Sequence, residues 1–159
     1  MDAQLEALMA KLTPASKVNE TCKANKAQLV KSASMKVKQF IDSVMEPTLK
    51  YIDSMVQLSA VLAPNEDYIL LMHESVYKQW PVSEIDESLY AAFNESRGEG
   101  YCKNLTSVVN IINFPVKAVN IVLEQLRPVI EARGYRLQLC MRYGSICEHD
   151  CFDIIWGRE

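Results

Sequence analysis

YRLQLCMR (residues 135–142) and CFDIIW (residues 151–156) are the stretches whose reading decides the fold. Both alternate with the two-residue period of strands that bury one face. If Tyr143 to Asp150 form the connecting loop, Arg142 pairs with Cys151. Met141 then lies beside Phe152, Leu139 beside Ile154 and Leu137 beside Trp156, which makes one apolar face of six residues. Arg136, Gln138, Cys140, Arg142 and Asp153 fall on the other face, with Asp153 in diagonal reach of Arg142 and Ile155 as its one large apolar member. A one-residue slip would turn every side chain over, so the pattern predicts a C-terminal β-hairpin.

Working outward, Pro115 to Arg133 predicts a helix through Val119, Val122, Leu126, Val129 and Ile130. Gly134 should terminate it, and Pro128 predicts a kink. TSVVNIINF (residues 106–114) is rich in β-branched residues and reads as a strand, with helix as the alternative. YILLM (residues 68–72) fits a buried strand or one helical turn. SEIDESLYAAFN (residues 83–94) reads as a surface helix, and Gly98 to Gly100 as a loop.

The first 63 residues predict helices. Leu5, Leu8, Met9 and Leu12 make Met1 to Leu12 amphipathic, and Thr13 with Pro14 marks a restart. From Pro14 to Met45, Val18, Cys22, Leu29, Ala33, Val37, Phe40 and Val44 fall in one stripe. Lys26 lies inside that stripe and Lys36 at its edge, which predicts a break near Lys23 to Ala27. Glu46-Pro47 should be a boundary, followed by a helix from Pro47 to Ala63 with Tyr51, Ile52, Met55, Val56, Ser59 and Leu62 on one side. The order gives an α+β fold: N-terminal helices, then a βαββ-like unit with a small antiparallel sheet and a C-terminal β-hairpin. Residues 1–63 form the helical segment and 64–159 the α+β region, together one compact domain.

Composition narrows the function classes. Of the 159 residues, 49% are hydrophobic and 23% charged, which suits a folded chain rather than a disordered one. A net charge of −3 argues against a general nucleic-acid binder. The charge is uneven, with Lys17, Lys23, Lys26, Lys31, Lys36 and Lys38 against Glu20 in residues 17–38. Residues 66–99 hold Glu66, Asp67, Glu74, Glu84, Asp86, Glu87, Glu95 and Glu99 against Lys78 and Arg97. The two regions suit each other, or different partners. Lys17, Lys23, Lys31 and Lys38 lie opposite the apolar stripe, the arrangement of a solvated helix face more than of a nucleic-acid or membrane surface. Without a secretory signal or an apolar run long enough to span a bilayer, and with five scattered cysteines, the expected compartment is the reducing cytoplasm.

Chemistry-bearing clusters are sparse. Cys140, Cys147, His149 and Cys151 have zinc-ligand types around the hairpin loop, but their spacing matches no zinc knuckle. The only histidines are His73 and His149, and neither stands by a nucleophile motif. The carboxylates of residues 83–87 suit a helix N-terminus, and Glu148 with Asp150 suit a turn. Gly98 and Gly100 lack the context of a phosphate loop. The sequence therefore gives no catalytic residue, no metal ligand and no cofactor.

The ending IEARGY (residues 130–135), strand, polar turn and FDIIW (residues 152–156) resembles small uncharacterised proteins of phages and large DNA viruses. These carry a helical N-terminus before a helix-hairpin end. The resemblance covers about the last forty residues and the helical start, and implies a viral origin and binding to a host factor. The function expected is a non-enzymatic interaction protein whose helices bind a partner protein or another copy of the chain. The alternatives are a small-ligand or nucleotide-sequestering protein, and a small enzyme or zinc protein using the Cys/His hairpin loop.

Overall fold

The computed structural model describes residues 2–81, 86–105, 107–139 and 151–157. Two strands of the hairpin, β2 (Arg136–Leu139) and β3 (Cys151–Ile155), pair antiparallel. Leu137 faces Ile154 and Leu139 faces Phe152, two residues from the expected register. Because two is the period of the pleat, the face assignments survive the shift. On the other edge of β3, the third strand, β1 (Tyr68–Met72), sets Ile69 against Ile154 and Leu71 against Phe152. Two rows then cross the sheet, Ile69–Ile154–Leu137 and Leu71–Phe152–Leu139, and β3 is central in the order β1-β3-β2. Asp153, on the outer face, stands between Leu70 and Gln138. The expected partners Met141 and Arg142, and the loop from Tyr143 to Asp150, lie outside the described residues.

The fold is α+β as the order of elements predicted, but its third strand is residues 68–72 and not 106–114. Residues 107–113 are irregular and end in a turn at 111–113, because asparagine side chains take over their backbone groups. Asn94 accepts from Val109 N at 2.7 Å and donates to Val109 O at 2.8 Å. Asn110 Oδ1 accepts from the backbone of Ile112 and Asn113, and Asn113 donates to Val108 O. Thr106, where the expected strand began, is outside the described residues.

Helix α5 (Phe114–Ala132) buries Phe114, Ala118, Val119, Val122, Leu123, Leu126 and Ile130. It continues through Pro128, which sits on its exposed side. Its end is a Schellman turn: Tyr135 N donates to Ile130 O and Gly134 N to Glu131 O, with Gly134 at φ +93°. Arg127 ties this helix to the sheet by donating to Leu137 O at 2.8 Å while pairing with Glu124 and Glu131.

Between β1 and α5 lie α3 (His73–Tyr77), α4 (Glu87–Glu95) and a 3-10 turn at Gly100–Cys102. Helix α4 was expected from Ser83; Asp86 is its cap, accepting from Ser88 N at 2.9 Å. Residues 83–85 are not among those described.

The N-terminal expectations change most. A short helix, α1 (Ala3–Met9), is capped by Asp2. A single helix, α2 (Ala15–Leu62), then runs 48 residues without the break expected at Lys23 to Ala27 or the boundary at Pro47. Pro14 caps it, in place of the expected Thr13 cap and Pro14 first turn. Pro47 removes one amide donor to Ser43 O, but Ser43 is exposed and water can replace that donor. Lys26 forces no break because it is exposed, as are Val18, Cys22 and Leu29 of the same stripe. From Ala33 onward α2 enters the core through Val37, Ile41, Val44, Thr48, Ile52 and Val56. Phe40 meets Trp80, Phe93 and Phe114 there, and Trp80 Nε1 donates to Thr48 Oγ1 at 2.7 Å.

Candidate functional site: an exposed helical shaft and the cleft at its base

At about 1.5 Å per residue, α2 is about 72 Å long. Only its part from Ala33 to Val56 contributes buried residues. Every residue from Asp2 to Leu29 is exposed, including all of α1. The first 18 residues of α2 form a shaft of roughly 27 Å that holds no buried residue, Val30 at its base being half-buried. Its apolar stripe is uncovered: Leu12 is 77% exposed, Leu29 57% and Val18 47%. Leu5, Leu8 and Met9 of α1 are likewise more than half exposed.

Where the shaft meets the body there is a cleft of about 930 Å³. Lys23, Lys26, Lys31 and Lys38 line it with Val30 and Tyr101. Its floor includes Val37, Ser96 and Cys102, all buried. The Ser96 hydroxyl donates to Ala92 O at 2.8 Å and lies 3.3 Å from Cys102 Sγ. Burial pushes the Cys102 thiol above its ordinary pKa, so this cysteine is a poor nucleophile near neutral pH. Tyr101 donates to Asp42 at 3.1 Å, and Lys38 pairs with Asp42 at 3.2 Å. The hydrogen bond and charge of Asp42 raise the Lys38 ammonium pKa, holding it charged. Lys23, Lys26 and Lys31 remain as the cations facing the cleft, with Glu99 as the one acid lining it.

The lysine run is thus divided by the fold. Lys36 bonds Ser88 beside Asp86, which joins the basic stretch to the acidic one within the chain. The Asp86 carboxyl is held below its ordinary pKa, chiefly by its bonds from Ser88. Together with Glu87 in the first turn it serves the N-terminus of α4, as the sequence suggested.

His73 is buried where β1 meets α3. Its Nε2 lies 2.6 Å from Asn120 Oδ1, and its ring meets Phe152 edge-on at 5.5 Å. Its Nδ1 is buried without a hydrogen-bond partner. No hydroxyl or thiol contacts the ring in a nucleophile–base pair among the described residues, so His73 reads as a packing residue. Cys140, Cys147 and His149 of the hairpin loop lie outside the described residues, as do Glu148 and Asp150; Cys151 opens β3 and is buried. Among the described residues no group of three or more His, Cys, Asp and Glu side chains could hold a metal ion. No described helix is long and apolar enough to cross a membrane.

Sequence reasoning missed Tyr101 and the cleft altogether. Nothing in the local pattern brings Tyr101 to Asp42, because that contact spans 59 residues. Comparison of the chain with protein families, curated proteins and solved structures finds no match.

Proposed function

We propose that this chain is a non-enzymatic interaction protein that binds another protein chain, a partner or a second copy of itself, through its projecting N-terminal helices. The observation that carries the reading is the uncovered stripe from Leu5 to Leu29. A compact chain of 18.0 kDa exposes about 8,000 Å², whereas this one exposes 10946 Å². The difference exceeds the roughly 800 Å² that each side of an ordinary interface buries. Apolar side chains left exposed along a projecting helix are the usual anchors of helix-in-groove or helix–helix recognition.

The test is deletion of residues 1–28. None of the described residues in that span is buried, so the remainder should keep its cooperative melt and its Tm. Light scattering should show the full chain associating and the truncated chain monomeric. A truncated chain that unfolds would assign these helices to the protein's own core and end this reading.

A further inference from the structure

The cleft and helix α1 complement each other. The cleft offers an apolar surface around Val30 and Tyr101, rimmed by Lys23, Lys26 and Lys31. Leu5, Leu8 and Met9 of α1 fall in an apolar stripe at helical spacing, with Leu12 in the turn that follows the helix, Glu6 along one border and the N-cap Asp2 at its start. Lys11 lies away from that border, on the far side of the stripe. An apolar stripe flanked by two carboxylates thus matches an apolar cleft edged by three ammonium groups.

Reach decides whose α1 this is. Folded back along its own shaft, the 7-residue α1 spans about 11 Å. Val30 lies about 22 Å along α2 from Ala15, so a chain's own folded-back α1 comes only as far as the cleft's outer edge at Lys23, about 12 Å along, and not to its apolar centre. A second copy meets no such limit, because its shaft can lie antiparallel to the first and carry α1 to the cleft. The same arrangement sets the stripe of Val18, Cys22 and Leu29 beside its counterpart.

We propose that the cleft receives α1 of a second copy, so that two chains exchange their N-terminal helices in a symmetric dimer. The proposal rests on the reading of the shaft as a protein-binding element and names its occupant. Two α1–cleft contacts and one shaft–shaft contact would bury surface on the scale that a stable dimer requires.

Sedimentation equilibrium of the full chain tests it, with circular dichroism as the control for folding. Leu8→Asp/Leu12→Asp alters α1 and the turn after it, and Lys26→Glu/Lys31→Glu alters the shaft residues that line the cleft. All four positions are exposed, so each variant should stay folded. Each should weaken dimerisation by about tenfold or more. Glu6→Lys alone should also weaken it, and Glu6→Lys combined with Lys26→Glu should recover most of the loss. A wild-type dimer indifferent to both sets of changes would overturn the exchange and leave the wider reading of the shaft standing. A wild-type chain monomeric at about 100 μM would overturn the exchange and confine that reading to a different partner. Tripolyphosphate binding to a monomeric wild type, lost in Lys26→Glu/Lys31→Glu, would make the cleft a small-anion site and overturn it too.

Discussion

Ile154 has no exposed surface and stands between Ile69 and Leu137 in the inner row of the sheet. A carboxylate there would have neither water nor a counter-ion in the row. Ile154→Asp should therefore cost roughly 4 kcal/mol or more and abolish the cooperative transition in a chain of ordinary stability. Leu139→Asp, at a half-buried position, should cost less, and Gln138→Thr, on the exposed outer face, should stay within about 0.5 kcal/mol. Urea denaturation of the three variants gives the ranking. Equal effects at Ile154 and Gln138 would show that the two faces are misassigned. Thr48 shows a different use of one residue. Its hydroxyl donates to Val44 O at 2.7 Å and accepts from Trp80, so a buried polar group on α2 anchors the indole from 32 residues away.

At the scale of elements, what was legible in the sequence is what short-range periodicity encodes. The faces of β2 and β3 followed from alternation, since Leu137, Leu139, Phe152 and Ile154 share a side in any register that keeps parity. The end of α5 followed from Gly134, whose positive φ an L side chain rarely adopts. Gly134→Ala should cost about 1 kcal/mol and lower Tm by several degrees in a thermal melt, with the fold intact. An unchanged Tm would mean that the turn does not hold residue 134 to that φ. What was not legible depends on contacts remote in sequence or on solvent. Residues 107–113 have strand-forming side chains, and only the amides of Asn94, Asn110 and Asn113 decide against a strand. The repeat of asparagine at 110 and 113 was the available signal for that turn. Pro47 marks a boundary by local rules, yet α2 passes it because the missing bond faces water and the core grips the helix on both sides, at Val44 and Thr48. The cleft was invisible for a similar reason: its rim lysines lie on α2 and its shoulder comes from a turn about 70 residues later.

On the scale of the whole molecule, one helix has two environments. From Ala33 to Val56 it is held by aromatic and aliphatic packing, whereas from Ala15 to Ser32 it holds no buried residue. Starting a helix is the costly step, with a nucleation factor of about 10⁻³, and extending it by a residue is nearly neutral. The packed half supplies that start for the shaft, so the shaft needs only propagation outward from Ser32. Helicity should then decline residue by residue towards Ala15 and shrink gradually on warming, while the body melts in one step. In dilute chain, ellipticity at 222 nm should slope well before the main transition, and near-ultraviolet signals from the core aromatics should stay flat over that range. Amide exchange should show a matching gradient, fastest near Ala15 and slowest beyond Val37. A sharp, simultaneous loss of both signals would mean that something already covers the shaft. With a second chain docked, that slope should disappear, which makes the pre-transition baseline a concentration-dependent gauge of what the shaft is holding.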